Sequence, residues 1–157
     1  MQCTLITVGS LKEKYLTDAL DEYVKRIGAY AKWEDINLKE ERLADESATA
    51  VSRALTAEGD RILSRIPKDA FVVALCVEGK PLSSEELAAT VGRAQSDTGK
   101  ICFIIGSSYG LSDAVKARAD LKLSFSRLTL PHQLIRVVLA EAIYRSFTIL
   151  SGKKYHK

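Results

Sequence analysis

Two short, wholly apolar runs constrain this chain more than any other feature: Phe71-Val72-Val73-Ala74-Leu75-Cys76-Val77 and Ile101-Cys102-Phe103-Ile104-Ile105. A strand with one face in water alternates apolar and polar residues, so an unbroken run fits a strand covered on both faces. Helical periods surround these runs. Leu11, Tyr15, Ala19, Tyr23 and Ile27 recur every four residues, with Leu16, Leu20 and Val24 beside them. That spacing predicts an amphipathic helix ended at Gly28. The charged stretch Glu46 to Ile66 predicts a second helix, stopped by Pro67. Ser83 or Ser84 caps a third, with Glu85 and Glu86 in its first turn. Ser112 caps a short helix to Arg118, and Pro131 opens a long one to about Leu150, ended by Ser151-Gly152. Further strands are expected at Gln2–Val8, Trp33–Leu38 and Leu121–Phe125, and Gly79-Lys80-Pro81 is expected to break the first apolar run. The alternation predicts an α/β fold, a mostly parallel sheet with helices on both faces. Lys39 to Ser47 is the least structured stretch.

At 157 residues the chain is expected to form one domain, residues 1–157, with a full hydrophobic core. No stretch approaches the roughly 18 apolar residues of a membrane span. The start, Met1-Gln2-Cys3-Thr4-Leu5-Ile6-Thr7-Val8-Gly9, lacks a basic leader segment, which predicts a cytoplasmic protein. Cys3, Cys76 and Cys102 each sit in an apolar run without CxxC spacing. An odd number of core-like thiols argues against a disulfide framework and against zinc. Net charge is +3, and the end Lys153-Lys154-Tyr155-His156-Lys157 is basic and aromatic, with Arg127, Arg136 and Arg145 shortly before it. Cations beside aromatic rings suit nucleic acid, and a solubilising tail has the same composition.

The last helix is apolar on more than one face: Leu134, Ile135, Val137, Val138, Leu139, Ala142, Ile143, Phe147 and Ile149. A surface helix needs one apolar stripe. Its second face is expected to pack on another copy of the chain in a homodimer, the alternative being a deep groove within the chain.

The second apolar run opens into Gly106-Ser107-Ser108-Tyr109-Gly110. This matches G-x-S-x-G, the turn that presents a hydrolase nucleophile. Ser108 would then attack, with His132 as base and Asp113 or Asp120 orienting it. Only about a dozen residues separate Asp120 from His132, too few for the strand and crossover that fold places there. The other reading is a ligand cradle, since glycines let backbone groups approach a ligand closely. There is no G-x4-G-K-[ST] and no G-x-G-x-x-G, so a nucleoside-like ligand without phosphates fits better than a nucleotide. His132 and Arg136 are four residues apart and share a helix face. Near a helix start the dipole disfavours a protonated imidazole, which leaves His132 free to accept a proton or orient a substrate. Arg136 in an apolar helix calls for a phosphate, a substrate or an ion pair from another segment. Glu78 follows a buried strand at its carboxyl end, and Trp33 is expected in the core.

Taken in order, several pieces resemble the RlmH methyltransferases of the SPOUT class, the α/β-knot enzymes. They are Val8-Gly9-Ser10-Leu11-Lys12-Glu13-Lys14-Tyr15, Glu22-Tyr23-Val24-Lys25-Arg26, Glu58-Gly59, Leu75-Cys76-Val77-Glu78-Gly79-Lys80, Phe103-Ile104-Ile105-Gly106 with Gly110-Leu111, Leu123-Ser124-Phe125-Ser126, Thr129-Leu130-Pro131-His132, Arg136-Val137-Val138-Leu139-Ala140-Glu141 and Tyr155-His156. The resemblance covers the whole chain. It implies a C-terminal trefoil knot, a homodimer and S-adenosylmethionine (SAM) bound in the knot. By position its contacts are Leu75, Gly106, Phe125, Ser126, Arg127, Leu128, Thr129 and Leu130. It further implies methylation of N3 of a pseudouridine in helix 69 of 23S ribosomal RNA, on the large subunit or the 70S ribosome, with no metal and with neither DNA nor membrane as partner. His132, Arg136, Tyr155 and His156 are the candidates for substrate positioning, the tail completing the partner subunit's site. A chain of this class without catalysis would be a ribosome-binding protein. The family usually has a second glycine after Gly106, where this chain has Ser107. If that position needs φ > 0, serine costs about 1 kcal/mol and Ser107→Gly should tighten SAM binding.

Overall fold

A computed structural model describes residues Met1 to His156; Lys157, part of the basic end, lies outside the described residues. Five strands form one sheet: β1 (Gln2–Val8), β2 (Lys32–Leu38), β3 (Phe71–Pro81), β4 (Lys100–Ile105) and β5 (Leu121–Ser124). Their order is β2-β1-β4-β3-β5 and every pairing is parallel. Five helices connect and follow them: α1 (Lys14–Ile27), α2 (Ala48–Leu63), α3 (Ser84–Asp97), α4 (Asp113–Arg118) and α5 (Leu134–Leu150).

Strand alternation sorts the apolar residues into two layers. Cys3, Leu5, Val73, Ile101, Phe103 and Ile105 face Leu20 and Ile27 of α1, Leu87 and Val91 of α3, and Leu139, Ile143 and Phe147 of α5. Ile6, Val8, Val72, Ala74, Cys102 and Ile104 face the other way, toward Ile62 of α2 and Val115 of α4. The two apolar runs are thus strands buried on both faces, as their composition requires.

The helix starts follow local chemistry where the sequence supplies it. Ser47, Ser83 and Ser112 accept backbone N–H groups of α2, α3 and α4, and Ser83 with Glu86 forms a full capping box. Helix α1 has no such residue. Oε1 of Gln133 accepts from the amides of Lys12 (3.0 Å) and Glu13 (3.5 Å), so the chain leading into α5 tethers the segment that enters α1, whose first turn has no side-chain cap. This corrects two expected boundaries. Helix α1 begins at Lys14 rather than near Leu11, and α5 begins at Leu134 rather than at Pro131. His132 and Gln133 sit in a turn before α5, with both side chains turned to other elements. The Pro131 carbonyl still accepts from the amide of Ile135.

A third boundary differs for a topological reason. Gly79-Lys80-Pro81 does not end β3. The strand pairs with β5 at Val73–Leu75, swings out over Cys76–Gly79, and pairs again at Lys80 and Pro81. Gly79 lies against the backbone of β5: a Cβ there would stand 2.5 Å from the Leu123 carbonyl carbon and 2.7 Å from the Ser124 nitrogen. Pro81, at the last position of the strand, has no N–H to leave unpaired.

Helix α5 buries Leu139, Ala140, Ile143 and Phe147 against the sheet and its neighbours, while Leu134, Val137, Val138 and Ile149 stay half-buried and Leu150 is exposed. Trp33 is half-buried against the same layer. No helix is long and apolar enough to cross a membrane among the described residues.

Gly79→Ala forces β3 and β5 apart where backbone meets backbone. It should destabilise the protein by about 2 kcal/mol or more in urea unfolding, whereas Gly99→Ala, with open space around its Cβ, should cost about 1 kcal/mol for its φ alone.

Candidate functional site

In a parallel sheet with helices on both faces, the polar loops collect at the carboxyl edge, and ligands bind there. Here that edge holds Gly9 after β1, Glu40 after β2, the Cys76–Gly79 excursion of β3, the Gly106–Gly110 turn after β4 and the segment 125–133 between β5 and α5. A cleft of about 220 Å³ opens between the last three. Leu75, Leu123, Phe125 and Ile135 make an apolar wall, and Gly106, Ser126, Thr129 and Leu130 line the rest of it. Val77 and Leu128 stand at its rim, each 78% exposed.

The Gly106–Gly110 turn owes its shape to closeness, not to an unusual φ at its start. A Cβ on Gly106 would lie 2.1 Å from the Gly110 carbonyl oxygen. Ser107 and Gly110 form a β-bridge, and Gly110 takes the positive φ of +93°. Ser107 is not a positive-φ residue, which overturns the expected strain at that position. Its hydroxyl donates to Oε2 of Glu58 at 2.8 Å, and both residues are buried. Ser107→Gly therefore removes a hydrogen bond rather than relieving strain.

His132 lines the cleft and its Nε2 bonds the Gly106 carbonyl. A carbonyl only accepts, so Nε2 carries the proton and Nδ1 is left as an acceptor. Arg136 sits beneath, 2% exposed, and does not line the cleft. Its Nη2 donates to the carbonyls of Gly9 (2.7 Å) and Val8 (3.3 Å), while its buried Nε has no partner. Burial pulls this guanidinium below its ordinary pKa and the charge of Asp35 partly offsets the pull; the cation is expected to persist. The phosphate or substrate expected for Arg136 is replaced by the carbonyls that end β1.

Of the eight residues the sequence assigns to a cofactor, seven line the cleft: Leu75, Gly106, Phe125, Ser126, Leu128, Thr129 and Leu130. Arg127 is exposed and does not. Cys76, Val77, Leu123 and Ile135 also line it and were missed, because each reads as core in an apolar run. Tyr155 and His156 lie outside this chain's own cleft. The Tyr155 hydroxyl donates to Glu141 at 3.1 Å, beneath the Arg145 guanidinium, and His156 bonds Glu85 at 2.7 Å and Arg145 at 3.4 Å. Burial, with bonds to Tyr23 and Glu141, pushes the Tyr155 phenol up to about 12, so it is a donor at neutral pH. Glu141 is thus occupied by Arg145 and Tyr155. Glu78 pairs with Lys116 at 2.6 Å, which holds its carboxyl below the ordinary value.

The hydrolase arrangement is not formed. The Ser108 hydroxyl donates to Oε1 of Glu40 at 3.4 Å, His132 is committed to Gly106, and Asp120 accepts from Val72 and Arg118. Among the described residues no cluster of three or more His, Cys, Asp or Glu side chains suits a metal ion.

A parallel α/β sheet with an apolar, glycine-floored cleft at its carboxyl edge is the architecture of a class of methyltransferases. Solved structures agree at the level of the fold: a probable methyltransferase from Bordetella pertussis superimposes with a TM-score of 0.56 over 92% of this chain and 95% of that one at 17% identity. The tRNA (m1G37) methyltransferase from Aquifex aeolicus does so at 0.54, over 92% and 70%, with 15% identity. The family model described as predicted SPOUT methyltransferase matches residues 1–156. Proteins named ribosomal RNA large subunit methyltransferase H are 51% identical in Bacillus pumilus, 48% in Bifidobacterium adolescentis and 47% in Listeria monocytogenes, each over the full length of both chains. The chain belongs to the SPOUT methyltransferase family, in its RlmH group.

The thiols report on this geometry. Burial pushes the Cys102 thiol up to about 12 and raises Cys3 as well, and both side chains are fully enclosed. Cys76 is raised by partial burial and by the charge of Glu78, but it reaches the cleft. Iodoacetamide should alkylate Cys76 alone in the native protein. Because only the thiolate reacts and the thiol is raised above its ordinary value, the rate should climb about tenfold from pH 7 to 8 and still be rising at pH 9, and mass spectrometry locates the label.

Proposed function

We propose that this chain is a single SPOUT domain that methylates ribosomal RNA, using SAM held in the cleft between the Gly106 turn and residues 125–130. The observation that carries the reading is the cleft itself. Its wall of Leu75, Leu123, Phe125 and Ile135 suits a flat nucleoside ring, and among the described residues no lysine lines it for a phosphate. These residues fit the cofactor, and Gly106 lets the turn close on Gly110 beside the cleft, where a Cβ would strike the Gly110 carbonyl. Bound there, SAM would supply a methyl group on a positive sulfur, which passes to the ring nitrogen as the carbon–sulfur bond breaks and the nitrogen loses its proton.

The relatives' name points to the large-subunit RNA, and the finer target is N3 of a pseudouridine in helix 69 of 23S RNA on the assembled subunit or 70S ribosome. The chain's part is alignment more than activation. His132 holds the turn through the Gly106 carbonyl and lines the cleft, which makes its ring the candidate for orienting a substrate. Tyr155, a donor throughout the physiological range, positions rather than deprotonates.

The functional unit is a homodimer in the cytoplasm. Half-buried Leu134, Val138 and Ile149 offer α5 a second apolar face, and the tail, docked on Glu141 and Glu85 of its own chain, would present Tyr155 and His156 to the partner's cleft across that face. The chain is knotted at its C-terminal end. Helix α4 covers one face and α5 the other, and the segment joining them passes the outward swing of β3 at Cys76–Gly79.

Tritiated SAM and ribosomes from a strain lacking this enzyme test the reading. Label should enter 23S RNA of those ribosomes and not of already modified ones; no label on either would refute it. Removing residues 155–157 should cut transfer by about a hundredfold or more while leaving SAM affinity within about twofold, and an active truncation would remove the tail from the mechanism. SAM at ten times its Kd should slow Cys76 alkylation about tenfold.

A further inference from the structure

Glu58 is a buried carboxylate that the reaction as described does not use. It is 3% exposed, on α2, and both its oxygens are engaged. Oε2 accepts from the Ser107 hydroxyl at 2.8 Å, and Oε1 accepts from the Glu41 amide at 2.9 Å. One side chain therefore joins the cofactor turn to the charged segment that follows β2.

Its own position is fixed by its neighbour. A Cβ on Gly59 would stand 2.2 Å from the Ser112 hydroxyl oxygen, so α2 touches the start of α4 at this residue. Ser112 in turn caps α4, only two residues beyond Gly110. The carboxylate is thus held by packing that a surface glutamate lacks. The Gly106–Gly110 turn is held by side-chain hydrogen bonds from three directions. His132 holds the Gly106 carbonyl from the α5 side and Glu58 holds Ser107 from the α2 side. Ser108 adds an exposed contact to Glu40.

We propose that Glu58 is a positioning residue for the cofactor turn, acting through the Ser107 hydroxyl. This rests on the reading of the cleft as a SAM site and names the residue that holds its floor. A floor clamped from one side only can tilt, and backbone groups placed for a ligand lose affinity when they are not held in place beforehand. Where a glycine follows Gly106 this hydroxyl is missing, so the clamp belongs to Ser107 of this chain.

The hydrogen-bond chemistry defines the test. In Glu58→Gln the amide oxygen can still accept from the Glu41 amide, and the NH2 group can donate to the Ser107 oxygen, because a hydroxyl both donates and accepts. Glu58→Gln should therefore keep SAM affinity within about twofold of the parent. Ser107→Ala and Glu58→Ala should each weaken SAM binding on the order of tenfold, since a hydrogen bond to a charged group is lost. The double Ala variant should be no weaker than Glu58→Ala alone, because both remove one contact. Calorimetric SAM titration at 25 °C, with Tm measured alongside, reads these values. A lowered Tm with unchanged SAM affinity in folded Ser107→Ala would show a structural bond only and overturn the proposal, as would additive losses in the double variant. Absence of SAM binding by the parent would overturn the SAM-site reading and this proposal together, whereas parental binding with an indifferent Ser107→Ala overturns this proposal alone.

Discussion

The polar loops that line the cleft collect at one edge because the sheet has no free face. Cys3, Leu5, Phe103 and Ile105 are enclosed by three helices, and Ile6, Val8, Cys102 and Ile104 by two more. A parallel sheet covered in this way has only its strand ends for chemistry. The carboxyl ends of β1, β3, β4 and β5 then carry glycines, serines and the one histidine that meets the cleft. The site is a consequence of where burial stops.

At that edge the structure depends on closeness more than on charge. Gly106 folds onto Gly110, Gly79 lies on β5, and Gly59 lies on Ser112; in each case a methyl group would strike another residue within 2.5 Å. The charged groups close by are mostly neutralised within the chain: Arg136 by carbonyls, Glu78 by Lys116, Glu141 by Arg145. What remains is an apolar slot, suited to a flat uncharged ring. That is the physical content of membership in a methyltransferase family whose donor brings its own activation.

Much of this was legible in the residues. The unbroken runs Phe71–Val77 and Ile101–Ile105 announced strands covered on both faces, and serine caps marked the starts of α2, α3 and α4. The loop 125–130 and Gly106 were assigned to one ligand, and all but Arg127 meet in the cleft. Other features were not legible. The chain entering α1 is tethered by Gln133, about 120 residues away in sequence. β3 continues past Gly79-Lys80-Pro81 because β5 takes up its pairing again, which no local preference of a Gly-Lys-Pro stretch suggests.

The amino-acid sequence by itself determined the layers, the parallel sheet and the edge at which the cleft opens, because burial on two faces and helix periodicity are written in local patterns. The tertiary structure decided what each polar residue at that edge does. Arg136 looked like an anion ligand and instead holds the end of β1; Ser107 looked like a strained replacement and instead bonds Glu58, 49 residues away. Those assignments depend on which atoms lie within about 3 Å after the chain has folded, and a one-dimensional pattern does not contain that distance.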